Sequence, residues 1–174
     1  MGLEAAIKER VRNIPDYPKK GIIFRDITPL LKDKRMFAAC IDELAARTAG
    51  FKPDYIVGIE ARGFIVGSAL AYKMGTGFIP IRKKGKLPYD KVSRSYSLEY
   101  GQETIEMHSD AIERSSKVLI VDDLLATGGT TIAAMDLVRR MGGDIVGLAY
   151  MIELADLNAR SRLGADNVVS LVKY

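Results

Sequence analysis

Asp122 and Asp123 close the apolar run Val118-Leu119-Ile120-Val121, and the small-residue stretch Ala126-Thr127-Gly128-Gly129-Thr130-Thr131 comes directly after Leu124 and Leu125. Such a stretch suits an anion. Gly128 and Gly129 let the backbone turn inward and approach a ligand closely, and Thr127, Thr130 and Thr131 add hydroxyl donors. Beyond them Ala134, Leu137, Val138 and Met141 recur at helical spacing, with Asp136, Arg139 and Arg140 on the opposite face. A helix starting there leaves unpaired N–H groups and a positive dipole end, a ready phosphate site. Paired acids repel a phosphate but accept hydrogen bonds from vicinal hydroxyls. A phosphate at the loop and a diol at the acids together describe a ribose 5-phosphate. The plain alternative, a strand followed by an ordinary glycine turn, gives no reason for two adjacent acids at a strand end. The stretch is not a Walker A loop, since no Gly-Lys-Ser/Thr follows, and it lacks Gly-x-Gly-x-x-Gly.

The elements that must hold these residues can be read from periodicity. Leu3, Ile7, Val11 and Ile14 form one helical stripe that Pro15 ends, and Asp16 to Gly21 is turn-like. Gly21 to Leu30 reads as a short extended segment. Residues 34–49 form an amphipathic helix with Met36, Phe37, Cys40, Ile41, Leu44 and Ala45 on one face, which Gly50 caps. Cys40 lies inside that stripe as a small core residue. Tyr55 to Ile59 is a central strand, followed by Glu60-Ala61-Arg62-Gly63-Phe64 and a helix to about Met74. Gly77 to Ile81 is another strand. Residues 95–107 alternate on either side of Tyr100-Gly101 as a two-stranded ribbon, with Glu99 at its tip. Asp144 to Leu154 is a strand, Asp156 to Leu163 a short helix, and Val168 to Val172 a last strand. Strands alternating with helices imply an α/β fold, a mostly parallel twisted sheet flanked by helices on both faces. We expect a single domain over residues 1–174, with an amino-terminal helix and hood in 1–33 and a core in 34–174.

Several candidates lie away from the central stretch, each with a plainer alternative. Arg62 at a strand end is a surface charge or, with its forked donors, a grip on a diphosphate. Arg82, Lys83, Lys84 and Lys86 crowd before Leu87-Pro88. They form a solvated basic turn, a nucleic-acid patch, or the start of a mobile lid over about 83–107 that meets pyrophosphate. No aromatic platform runs through that cluster, which argues against nucleic acid. Phe24 sits in an edge strand facing a core, or in a clamp for a flat aromatic ligand. Glu99 reads as a solvent-facing strand acid or one with a task of its own. Leu154, at the end of its strand, reads as a core residue. His108 has no partner acid in sight and reads as a surface or hydrogen-bonded residue.

Composition sets bounds on the rest. The chain has 174 residues, 48% hydrophobic and 28% charged, as in ordinary soluble globular proteins. One Cys rules out an internal disulfide framework and one His a multi-histidine metal site. Apolar runs are too short to span a bilayer, and the acidic, helically patterned start is no secretory signal. We expect a cytoplasmic protein without membrane or nucleic-acid partners. A net charge of +4 suits a small polyanionic substrate but decides nothing alone.

The strand, two acids and Ala126-Thr127-Gly128-Gly129-Thr130 resemble the motif with which type I phosphoribosyltransferases bind 5-phosphoribosyl 1-diphosphate (PRPP). Four further segments resemble the adenine-specific members of that family: Gly21-Ile22-Ile23-Phe24-Arg25-Asp26-Ile27, Ala61-Arg62-Gly63-Phe64, the basic run from Arg82 to Pro88, and Ser95-Tyr96-Ser97-Leu98-Glu99-Tyr100-Gly101. The resemblance spans about residues 21–154. It implies transfer of a phosphoribosyl group from PRPP to adenine, giving AMP and pyrophosphate, in a homodimer. It assigns Asp122 and Asp123 to the ribose hydroxyls and Ala126, Thr127, Gly128, Gly129, Thr130 and Thr131 to the 5-phosphate. Arg62, Arg82, Lys83 and Lys86 would meet pyrophosphate. Backbone at Ile23, the ring of Phe24, polar contacts from Arg25, and Leu154 on the opposite face would hold the base. Glu99 would be the acid/base, with Tyr100 ordering the closed loop. Mg²⁺ would be held mainly by substrate and water, with no dedicated protein ligand. Two rivals stay within reach of these residues: a phosphoribosyltransferase for xanthine or hypoxanthine, and a PRPP-sensing regulator without catalysis.

Overall fold

The computed structural model describes residues 2–97 and 101–174. Among the described residues seven strands form the main sheet: β3 (Tyr55–Ile59), β4 (Gly77–Lys83), β5 (Lys91–Ser97), β6 (Gln102–His108), β7 (Lys117–Leu125), β8 (Asp144–Glu153) and β9 (Val168–Lys173), in the order β5-β6-β4-β3-β7-β8-β9. Strands β4, β3, β7, β8 and β9 run parallel, while β6 joins β4 and β5 antiparallel. This is the mostly parallel α/β sheet expected from the alternation of strands and helices.

The central strands are buried on both faces, and alternation divides their side chains between two cores. Val57, Ile59, Val118, Ile120, Leu148 and Tyr150 pack against α5 (Gly129–Arg140) and α6 (Ala159–Leu163). Ile56, Leu119, Val121, Ala149 and Met151 pack against α3 (Lys34–Thr48) and α4 (Arg62–Met74). Each fully buried aliphatic side chain contributes about 1.5–3 kcal/mol. Cys40 belongs to the second core, and burial pushes its thiol up to about 11, so it is inert packing. Asp33 caps α3 by accepting from the Arg35 and Met36 N–H groups at 3.0 and 3.1 Å.

Four local expectations change. The amino-terminal helix α1 (Leu3–Arg10) stops before Ile14. Arg12–Pro15 forms β1, antiparallel to β2 (Ile23–Asp26), with Ile14 opposite Phe24. A strand partner outweighs the helical spacing there, as β-branched residues readily permit. The extended segment ends at Asp26, and Thr28–Lys32 forms α2 with Pro29 in its first turn, where proline fits. Gly50 does not cap α3: a 3-10 turn spans Ala49–Phe51, and Lys52 takes the left-handed conformation at φ 48°. The helix expected over 156–163 breaks at Asn158, also left-handed, into a 3-10 turn (Ala155–Leu157) and α6. The ribbon is an edge of the main sheet, since Arg82 and Lys83 of β4 pair with Glu106 and Ile105 of β6.

Candidate active site

Strand β7 does not end at the acids. It runs on to Leu125, because Tyr150 to Glu153 of β8 continue the ladder beside it. The loop that remains is Ala126-Thr127-Gly128. Gly128 caps α5 at φ +83°, a conformation that a side chain resists. Its carbonyl accepts the Ile132 N–H at 2.9 Å, which leaves the N–H groups of Gly129, Thr130 and Thr131 as the free first turn. Helix α6 braces the loop from behind. Arg162 donates to the Thr127 carbonyl at 3.0 Å, and a Cβ on Gly128 would lie 3.3 Å from Leu163. The three threonines differ in their roles. Thr131 is buried and its hydroxyl is bonded to Tyr150 Oη at 2.9 Å, Thr130 donates to Tyr96 Oη at 3.0 Å, and Thr127 is exposed.

The acids face a cavity of about 260 Å³, walled by Glu60, Arg62, Lys83, Tyr96, Glu103 and Thr130 as well as Asp122 and Asp123. Helix α4 reaches it because Gly63 lacks a Cβ, which would stand 2.7 Å from Asp122 Oδ1 and 3.1 Å from the Val121 carbonyl. Gly63→Ala is therefore expected to destabilise the protein by about 1–3 kcal/mol through forced separation of α4 from β7. A thermal melt checks this, and an unchanged Tm would refute so close an approach.

Charge in the cavity is internally paired. Arg62 Nε lies 2.9 Å from Asp123 Oδ2, Arg82 Nη2 lies 3.2 Å from Glu60 Oε1, and Lys83 Nζ donates to Glu103 at 2.7 Å. Burial pushes Asp122 well above the usual carboxylate range, reinforced by the neighbouring charge of Asp123. Burial also raises Asp123, against the pull of Arg62. Burial acts on Glu60 in the same direction, but the Lys83 N–H at 2.9 Å and the Arg82 guanidinium outweigh it and leave Glu60 below its usual range. Glu60 thereby ties the loop before α4 to the start of the basic segment. Lys86 is exposed, and its carbonyl accepts from Arg82 at 3.2 Å.

A second cavity, of about 380 Å³, opens between the β1–β2 pair and α4, lined by Ile14, Tyr17, Phe24, Asp26, Thr28 and Arg62. Phe24 is held edge-on by Tyr17 at 5.2 Å between ring centroids, and the Arg62 guanidinium stands 5.0 Å from the Phe24 ring centre. Arg62 is common to both cavities. Strand alternation turns Arg25 the other way: its guanidinium lies 4.0 Å from the Tyr174 ring centre and donates to Asn13. Ile23 is exposed on the edge of β2, and Leu154, half-buried at the end of β8, donates its N–H to the Leu125 carbonyl at 2.9 Å. Glu99 and Tyr100 lie outside the described residues.

Of the residues singled out from sequence, Arg62, Lys83, Asp122, Asp123 and Thr130 line the first cavity, and Phe24 with Arg62 the second. Glu60, Tyr96 and Glu103 were not singled out, nor were Ile14, Tyr17, Asp26 and Thr28. Asp26 and Tyr96 lay inside segments already marked, while Glu60, directly before Ala61-Arg62, and Tyr17, in the turn before Gly21, were signalled only by proximity to such segments.

A parallel sheet with an acid pair and a helix-start loop at the carboxyl ends of its strands is the arrangement of a nucleotide-handling α/β protein. Residues 27–172 match the phosphoribosyl transferase domain, and the chain belongs to that family. Within it, the chain is similar to proteins named adenine phosphoribosyltransferase. The one from Brachyspira hyodysenteriae is 54% identical over 168 residues, covering 97% of this chain and 99% of its own. The crystal structure of the Thermoanaerobacter pseudethanolicus enzyme superposes with a TM-score of 0.96 at 47% identity, covering 99% of this chain and 100% of that one. The Saccharomyces cerevisiae enzyme, solved in complex with adenine and an imino-altritol bisphosphate, gives 0.91 at 38% identity over 97% and 98% of the two chains.

Proposed function

We propose that the protein transfers the 5-phosphoribosyl group of PRPP to adenine, releasing AMP and pyrophosphate. The observation that carries this reading is that Arg62 is a shared wall: an aromatic cavity suited to a flat base meets a charged cavity suited to a phosphorylated sugar at one guanidinium.

In the reaction the bond from the anomeric carbon to diphosphate breaks, the bond to the purine nitrogen forms, and that nitrogen loses its proton. The leaving diphosphate takes the electron pair, so the sugar carbon becomes cationic. The protein needs no covalent nucleophile. It must hold donor and base still, stabilise the leaving charge and keep water away. Free N–H groups of Gly129, Thr130 and Thr131, with the hydroxyl of Thr130, would seat the 5-phosphate. Asp122 and Asp123 would accept from the ribose hydroxyls, close enough to favour the developing cation. Arg62 would turn its Nη groups to the diphosphate, and Lys83 with the basic segment after it would add charge. Phe24 would stack on the base with Tyr17 behind it, and Glu99 would take the proton. The orientation of Arg25 toward Tyr174 leaves base recognition on this strand to backbone groups beside Phe24.

Mg²⁺ belongs to the same reading. The hard oxygens of Asp122 and Asp123 suit it, and since Mg²⁺ keeps several waters and is commonly held through substrate phosphates, it would arrive on the diphosphate and its waters. Bound there, it would neutralise leaving-group charge. A homodimer and cytoplasmic residence complete the proposal. Tyr72, 91% exposed, and Ile65 offer apolar surface on one side of α4 for a second copy. Among the described residues no helix is long and apolar enough to cross a membrane.

The test is a base panel. With Mg²⁺ and PRPP, adenine is expected to yield AMP at least about 100-fold faster than hypoxanthine, guanine or xanthine yield their nucleotides, as a site built around specific hydrogen bonds discriminates. Preference for an oxo-purine would overturn the base assignment. PRPP binding without any product would turn the reading to a regulator.

A further inference from the structure

The ribbon carries a cross-strand pair, Tyr96 opposite Glu103, that the proposed function leaves without a task. The pair is bonded in one direction. Tyr96 Oη donates its only proton to Glu103 Oε2 at 2.8 Å, and Lys83 Nζ holds the other carboxylate oxygen at 2.7 Å. The phenol oxygen can then only accept on its other side, and it accepts from Thr130 Oγ1 at 3.0 Å. Burial pushes the phenol up to about 12, so it keeps its proton at neutral pH. The Tyr96 ring and the Ser97 carbonyl lie against Gly129, where a Cβ would come within 3.6 and 3.8 Å of them. Further along α5, Arg94 pairs with Asp136 at 3.2 Å. The ribbon is thus docked on the beginning of α5.

A threonine hydroxyl has one proton to give. At the start of a helix a phosphate oxygen is its natural acceptor, and here a phenol oxygen already fills that role. We propose that Tyr96, oriented by Glu103, is a stand-in acceptor that docks the ribbon on the phosphate loop and cedes Thr130 to the 5-phosphate of an incoming ligand. This rests on the proposed function for what the loop binds. Tyr96 is a positioning residue, acting through Thr130 and the ribbon, and its removal frees the Thr130 proton without altering the loop.

Calorimetric titration of ribose 5-phosphate into the wild type, Tyr96→Phe, Thr130→Val and the double variant tests this. Phenylalanine keeps the ring against Gly129, and thermal melts verify that each variant is folded. Tyr96→Phe is expected to bind about 3- to 10-fold tighter, since one neutral hydrogen bond no longer has to be broken. In the Thr130→Val background the same change is expected to add nothing, an interaction that a merely structural role of Tyr96 would not produce. Equal affinity in Tyr96→Phe, weaker affinity, or a gain that persists in Thr130→Val would each overturn the proposal. If the wild type bound neither ribose 5-phosphate nor PRPP, the phosphate-loop reading itself would fall, and the stand-in with it.

Discussion

An Arg62→Ala variant is expected to lose about 100- to 1000-fold in kcat/KM for PRPP, the order of effect when one preorganised group that stabilises developing charge is removed. The geometry makes Arg62 hard to replace. It forms an ion pair with Asp123, Nε to Oδ2 at 2.9 Å, its side chain is only one-third exposed at 33%, and it borders both cavities. A planar guanidinium offers its N–H groups in a rigid fork that matches phosphate oxygens, which an ammonium cannot do. Arg62→Lys is therefore expected to recover only part of the loss, staying about 10-fold below the wild type. Steady-state kinetics with PRPP varied at saturating adenine give the numbers. Wild-type kcat/KM in the alanine variant would reduce Arg62 to a strut for Asp123. That outcome has its own signature: Asp123 would lose the Arg62 charge that opposes its burial, so Tm would fall while turnover held.

Most of this arrangement is local in origin, and that part was legible. The strand at Tyr55–Ile59, the amphipathic helix at Lys34–Thr48 and the glycine loop before α5 each follow from residues within one turn or one strand of themselves. Asp122, Asp123 and Arg62 stood out because charge at the end of an apolar run has few structural uses. What stayed hidden depends on partners far along the chain. Ile14 is a strand residue only because Phe24 lies opposite it. Strand β7 continues past its acids only because β8 does. Arg25 turns from the base cavity toward Tyr174, the last residue of the chain, which no local pattern announces. Glu60, Tyr96 and Glu103 gain their roles from sheet register and from Lys83, Arg82 and Thr130, so their types alone carried no signal. The cations expected to meet pyrophosphate were legible as cations, but their internal partners were not. Because Arg62, Arg82 and Lys83 each already hold a carboxylate, a polyanion is expected to meet them by exchange of partners rather than by filling a bare positive surface.

Asp122 shows what that pairing costs and what it is for. Asp122→Asn is expected to raise stability while lowering affinity for PRPP about 10- to 100-fold, the loss of charge assistance in hydrogen bonds from the ribose. Burial and the charge of Asp123 hold the Asp122 carboxyl well above its ordinary range. In the unfolded chain the same group titrates near about 4. Between those two values the folded protein binds more protons than the unfolded chain, so stability falls as pH rises through the raised value, and below about 4 the penalty is absent. Asparagine removes the charge yet keeps an oxygen for the Asp123 N–H, which donates to Asp122 Oδ1 at 2.9 Å. The difference in Tm between variant and wild type is therefore expected to be near zero at about pH 4 and to widen toward neutral pH, reaching about 2–4 °C for each kcal/mol relieved in a chain of this size. Melts across that range, paired with a PRPP titration at neutral pH, measure both sides. A variant that melts lower than the wild type at neutral pH would show that the folded chain itself already compensates the Asp122 charge. Wild-type PRPP affinity would remove Asp122 from the ribose site. If both expectations hold, the adjacent acids persist in this fold because a diol, and not the folded chain, satisfies them.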